Sequence, residues 1–243
     1  LKASYFSKIL YKKFTDHLIL VSNFQKQQIK DLSTLTKLSV IHNGVDLSYF
    51  RPQKKSKKVL EDYSIFEKNI VFVSTAGTNL NKRWPLLIEA LSRLDQNYID
   101  KFKIIIAGKV PPQKYIDLNV KKFSLEDQVI FTGLVDDIRQ IVSVADFGFI
   151  LSKNEALSYA CREMMAMGIP VLITSNTGLS ENIKNGKNGW IVNRSIDEIE
   201  FFLNSFNSIN KKEFSEFAYQ TAKNEFDLES WAQKTVNVYY NLR

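Results

Sequence analysis

The sequence is poor in residues that staple or ligate. Among 243 residues it holds one cysteine, Cys161, and two histidines, His17 and His42. A single cysteine excludes an intrachain disulfide, and these three residues are too few for the usual zinc site. A reducing, cytoplasmic setting is the expectation, and no metal is expected. No apolar run approaches the roughly 20 residues of a membrane-spanning helix. The nine glycines are scattered, so neither a G-x-G-x-x-G fingerprint nor a G-x-x-x-x-G-K-[ST] phosphate loop occurs. No G-x-S-x-G elbow is present, which removes the usual hydrolase signature. No D-x-D pair is present to hold a divalent cation on a diphosphate. Aromatic residues make up 12% but do not interleave with lysines as a base-stacking platform, so nucleic acid is not an expected partner. The chain opens on Leu1 with no signal-peptide pattern after it, and we expect a piece of a longer protein.

What is present reads as a globular chain, with 44% hydrophobic and 24% charged residues. The net charge of +7 suits phosphate-bearing or anionic-lipid partners as well as plain solubility. From about residue 69 the pattern is regular. "NIVFVSTAG", "FKIIIAG", "QVIFTG", "DFGFILS", "IPVLITS" and "GWIV" read as strands, and segments of helical period separate most of them. Strands apolar throughout, alternating with helices, predict a parallel sheet covered on both faces. Its ligand crevice belongs at the carboxyl ends of the strands. The fold class is therefore α/β, an open parallel Rossmann-like sheet with a helical tail. Ahead of it "HLILVS" and "LSVIHNGVD" read as strands with a polar helix between them, too little to bury a core alone. The Asn43-Gly44 pair predicts a turn through positive φ. "QKKSKKVLEDY" reads as a linker. The expected divisions are residues 1–52, part of a further domain and the crossing from it; 53–205, the sheet domain; and 206–243, helices packing back. The start "SYFSKILYKKF" puts Phe6, Leu10 and Phe14 on one face, read as core-facing, with peripheral membrane contact as the alternative.

The stretch "NEALSYACREMMAMGIPVL" sets Glu155 and Glu163 eight positions apart around an otherwise apolar helix. Carboxylates seldom sit inside an apolar run unless something pairs with them. Ser158 can cap the helix, whose start favours an anion. A nucleotide diphosphate against residues 156–159 would leave both carboxylates free to accept from sugar hydroxyls. From spacing alone a second reading stands: Glu163 as a helix glutamate paired with Arg162 or a lysine.

Together with its neighbours, this stretch resembles the C-terminal domain of GT-B-fold retaining glycosyltransferases of family 4. The resemblance rests on Asp146 after an apolar strand, Glu155-x7-Glu163, "EMMAMGIPV", "TGLSE" with Glu181, and "GKNGWIV". Upstream, "VSNFQKQQI", "SVIHNGVDLSYFRP", "KRWPLLIEALSRL" and "QVIFTGLVDDI" extend it over nearly the whole chain. It implies that Glu163 holds the nucleotide ribose and Glu155 faces the donor sugar. It implies that Lys82 pairs with the diphosphate, that the amides of Ala156, Leu157 and Ser158 face phosphate or sugar, and that Gly133, Leu134 and Val135 border the base. It implies a donor domain that takes a nucleotide sugar, with a glycan or lipid-linked acceptor. It also implies retention without metal or cofactor, at the cytoplasmic side of the membrane. The chain departs from the pattern at Gly77, where the family carries a phosphate-binding arginine, with Arg83 the nearest substitute. The family's "EGFG" loop is "EALS" here. A non-catalytic sugar-nucleotide scaffold and a sugar-nucleotide epimerase are the competing readings.

Overall fold

The computed structural model describes residues 5–29, 36–175 and 177–242. The expected continuation of the second helix through 30–32 lies outside the described residues, as does the side chain of Phe6. The first segment contains α1 (Tyr5–Phe14), β1 (His17–Leu20), α2 (Asn23–Gln28) and β2 (Lys37–Val40). Then follow α3 (Lys57–Asp62), β3 (Ile70–Ser74), α4 (Pro85–Leu91), α5 (Gln96–Ile99), β4 (Phe102–Ile106), α6 (Gln113–Asn119), β5 (Val129–Phe131) and α7 (Ile138–Val142). The remainder is β6 (Phe147–Ile150), α8 (Tyr159–Ala166), β7 (Val171–Thr174), β8 (Gly189–Val192), α9 (Ile196–Ser205), α10 (Lys211–Glu225) and α11 (Leu228–Tyr240).

The apolar runs become strands because both of their faces are covered. Every residue of β3, β6 and β7 is buried, so no alternation is visible in them. They join one six-stranded sheet in the order β5-β4-β3-β6-β7-β8, parallel throughout. Chain order reverses direction between β3 and β6, which opens a crevice at their carboxyl ends. On one face, Phe72 of β3 and Phe147 of β6 pack against Phe202 and Phe206 with ring centroids 5.1–6.1 Å apart. On the other face α8 lies on the sheet, and α10 covers α8 through Ala218, Ala222 and Phe226. Gly148 admits α8: a Cβ there would meet Met164 Sδ at 2.6 Å.

Three expectations need correction. The lysine-rich stretch is a helix, α3, rather than a linker. Ser56 accepts from Val59 N to cap it, its own N–H donates to Ser143 Oγ at 3.0 Å, and Val59 is buried. Local composition hid it because one buried valine and one cap suffice to dock six residues. Gly44 is absent from the positive-φ residues. It is needed instead for close approach, since a Cβ would lie 2.6 Å from Leu228 Cα. There Val45 N donates to Phe226 O at 2.7 Å, so the corner between α10 and α11 docks on residues 44–45. Helix α1 is not core-facing among the described residues: Leu10 is 42% exposed and Phe14 76%. β1 and β2 form a parallel pair of their own. Among the described residues no helix is long and apolar enough to cross a membrane.

The aromatic packing sets a stability prediction. Phe147→Ala removes a fully buried ring from the centre of the cluster and should cost about 3–5 kcal/mol. Urea unfolding should show a lower midpoint with an unchanged slope; a loss below about 1 kcal/mol would mean that the cluster is not tightly packed.

Candidate functional site

The crevice is built from the loops that follow β3, β5 and β6. After β6, Ser152 Oγ donates to Glu155 Oε1 at 3.0 Å, and Lys82 Nζ reaches the same oxygen at 2.5 Å. Both members of the ion pair are largely buried, 23% and 13% exposed. Lys82 lies ahead of α4. It ends a 3-10 turn, Leu80–Lys82, and α4 begins only at Pro85. Arg83 lies between them with φ +50. Its guanidinium has no hydrogen bond or ion pair among the described residues. The loops are fastened to one another, with Lys153 N donating to Asn81 O at 2.8 Å.

The turn from Glu155 to Ser158 is held from below. Gly178 N donates to Glu155 O at 2.7 Å. A Cβ on Gly178 would overlap the Ala156 carbonyl, so no larger residue fits under this loop. Ser158 Oγ accepts from Cys161 N at 3.4 Å and caps α8. The N–H groups of Ala156, Leu157 and Ser158 donate to no acceptor among the described residues. They are free donors at a helix start.

Glu163 sits in the second turn of α8, partly buried. Its carboxylate has no hydrogen bond or ion pair among the described residues. The alternative pairing with Arg162 does not occur. Arg162 is wholly buried and turns away, donating to Asn43 O and to Asn182 Oδ1 at 2.8 Å. A second cleft opens beside the first, lined by Gly77, Gly108, Leu134 and Val135. Gly77 has φ +86 and open space where a side chain would project, so an arginine there would be strained as well as absent. Gly133, at φ +71, accepts from Gly108 N at 3.0 Å, and Leu134 is 87% exposed at the rim.

The structure thus brings Lys82, Glu155 and the 156–158 loop together, and gathers Gly77, Leu134 and Val135 with Gly133 at their base. Among the described residues no hydrogen bond or ion pair ties the Arg83 guanidinium to either group. Two further residues were not found by sequence reasoning. Thr75 Oγ1 is buried in the second cleft without a partner among the described residues, and a threonine at a strand end carries no signal for that. Glu181 was read only as part of a motif. Its carboxylate accepts from Asn23 N and Phe24 N, at 2.9 and 2.6 Å, and pairs with His42 Nε2 at 3.0 Å. It therefore caps α2 from the large sheet's side.

Residues 55–224 match the family described as Glycosyl transferases group 1. A UDP-Gal:alpha-D-GlcNAc-diphosphoundecaprenol alpha-1,3-galactosyltransferase of Escherichia coli is 26% identical over 215 residues, covering 82% of this chain and 54% of that protein. The chain spans about half the length of the curated relatives it matches. Among solved structures, a glycosyltransferase from Rickettsia africae ESF-5 superposes with a TM-score of 0.88 at 22% identity, over 100% of this chain and 68% of that one. HepE of Anabaena, crystallised with UDP and glucose, superposes with a TM-score of 0.85 at 20% identity, over 97% and 66%. These likenesses establish the fold.

The electrostatics of Glu163 are one-sided. Burial pushes its carboxyl above the ordinary value of 4.5, and no donor offsets the shift. Glu181 contrasts with it: burial pushes it up, but the amides of Asn23 and Phe24, with His42, outweigh burial and hold it below the usual range. For Glu163 the sign of the linkage follows. Below the unfolded value both states are protonated and no charge is desolvated. As pH rises, the unfolded chain ionises first and stability falls, until the folded carboxyl ionises too. Glu163→Gln removes this cost. The thermal midpoint of the variant minus that of the wild type should therefore rise as pH increases through the ordinary glutamate value of 4.5, and level off once the folded carboxyl ionises. A difference independent of pH would contradict an unpaired, desolvated carboxylate.

Proposed function

We infer the function from the premise that this chain belongs to the Glycosyl transferases group 1 family, and propose that it holds a nucleotide-sugar donor. The donor's sugar passes to a glycan or lipid-linked acceptor. The observation that carries this reading is the unpaired Glu163 carboxylate on a capped helix whose preceding amides are also free. A diol supplies two donors to such a carboxylate, and a diphosphate supplies acceptors to the amides. In this reading Glu163 takes the ribose hydroxyls and Gly133, Leu134 and Val135 border the base, with Thr75 Oγ1 offering one further hydrogen bond.

The chemistry is assigned to Lys82 and the start of α8. As the bond from the anomeric carbon to phosphate breaks, negative charge collects on the leaving diphosphate. Lys82 and the amides of Ala156, Leu157 and Ser158 stabilise it. The acceptor oxygen bonds to the anomeric carbon, and its proton passes to the leaving phosphate on the same face, which retains configuration. No metal or cofactor enters this scheme. Glu155, which pairs with Lys82, turns to the sugar hydroxyls when phosphate takes the lysine.

Residues 53–205 form the donor domain in this proposal, 1–52 belong to the acceptor side and its crossing, and 206–243 pack back over both. The relatives' printed names support the acceptor class, since one acts on a diphosphoundecaprenol-linked sugar. The exposed Leu10 and Phe14 beside Lys12 and Lys13 on α1 support peripheral contact with an anionic membrane at its cytoplasmic face. Gly77 supports a second reading, a sugar-nucleotide scaffold without turnover, because one expected phosphate cation is missing there.

Calorimetric titration with UDP, GDP and ADP, each with and without magnesium, tests the donor reading. One nucleotide should bind selectively and without metal dependence, and Glu163→Ala should weaken it about tenfold or more. Unchanged affinity in the folded variant would remove Glu163 from the site. In the full-length enzyme, Lys82→Met should lower kcat about 100-fold or more with little change in KM. Full activity without Lys82 would refute its role, and nucleotide binding without turnover in the full-length wild type would favour the scaffold.

A further inference from the structure

Behind the donor helix lies a buried cation for which the site itself has no use. Arg162 is 0% exposed. Among the described residues no carboxylate forms an ion pair with it, although Glu225 and Glu181 lie near enough to favour its charge. Its two terminal nitrogens donate to Asn43 O and Asn182 Oδ1, its guanidinium lies 4.3 Å from the Phe226 ring centroid, and its Nε is buried without a partner among the described residues. Burial pushes its pKa down to about 10. A charge held this way is expensive, and an apolar side chain of similar volume would pack at lower cost. Stability alone therefore gives no reason for an arginine here.

Its three partners share one location. Asn43 adjoins Gly44 and Val45, which dock on the corner at Phe226 and Leu228. Asn182 follows Glu181, the residue that caps α2 and pairs with His42. Arg162 thus grips the junction between the small sheet and the large one. Its neighbour Glu163 lies about 100° around the same helix, and on the donor reading it is the side chain that serves the crevice. A roll of α8 cannot move one without the other.

We propose that Arg162 is a positioning residue, which sets the roll of α8 from the junction and so holds the Glu163 carboxylate where a nucleoside diphosphate's ribose diol meets it. This rests on the donor reading above. The junction and the donor crevice are then coupled: whatever shifts residues 43–45 or 181–182 changes nucleotide affinity.

The test uses the chain with Arg162→Met, Glu181→Gln and the double variant, titrated with UDP, GDP and ADP and unfolded thermally. At the nucleotide that the wild type binds, Arg162→Met should weaken affinity about tenfold. Its thermal midpoint should stay within a few degrees of the wild type or rise. A purely structural arginine would do the reverse, lowering the midpoint while leaving the affinity of the folded fraction unchanged, and that result overturns the proposal. Glu181→Gln should also weaken binding, and the two effects should fall short of additivity. Strict additivity overturns the coupling. If Arg162→Met does not fold, Asn182→Ala, which removes one of the partners, should weaken binding several-fold, and unchanged binding in that variant is again contrary. A wild type that binds none of the three nucleotides sinks the donor reading, and the positioning role with it. A wild type that binds while Arg162→Met binds equally sinks the positioning role alone.

Discussion

Helix α8 carries a buried guanidinium and an unpaired carboxylate on adjacent residues, while the rest of the same helix builds the apolar core. Met164, Met165 and Ala166 face the sheet and α10. Glycine at position 148 lets them come close. That packing fixes the height of α8, its cap fixes where it begins, and Arg162 fixes its roll. The free amides before the helix and the free carboxylate in its second turn take their places from those three constraints. The 155–158 loop adds a fourth, because Gly178 leaves no room for it to sink.

The crevice owes its polarity to what is left unsatisfied. Backbone donors near a sheet end normally find partners, yet those of Ala156, Leu157 and Ser158 have none among the described residues. Glu163 pays the desolvation cost with no donor to offset it. At position 77 the backbone itself is selective: φ +86 suits glycine and strains a longer side chain. Lys82 pairs with the Glu155 carboxylate, and Arg194 donates to the Lys153 carbonyl of the same loop.

The large sheet was legible because its strands are apolar throughout and its helices carry a clear period. The pair Glu155 and Glu163 was legible as a question, and the surrounding motifs supplied an answer. What was not legible depends on contacts between distant segments. Spacing allowed Glu163 to pair with Arg162, and only the fold shows Arg162 turned to Asn43, 119 positions away. Gly44 was expected for its dihedral freedom and is required for the approach of Leu228. The lysine-rich stretch looked like a linker because a single buried valine carries its docking. Lys82 lies three residues ahead of α4, separated from it by the left-handed Arg83, a break that composition does not announce. Glu181 caps a helix 157 positions away, which no local pattern can announce.

The central claim is that Glu163 is kept desolvated and unpaired to receive hydroxyl donors. Carbon-13 NMR of the Glu163 carboxyl, titrated in the free chain and again with saturating nucleotide, tests it most directly. The account predicts a pKa above the ordinary glutamate value in the free chain, falling when ribose hydroxyls donate to the charged form. An ordinary value in the free chain, or a value that nucleotide leaves unmoved, would contradict it.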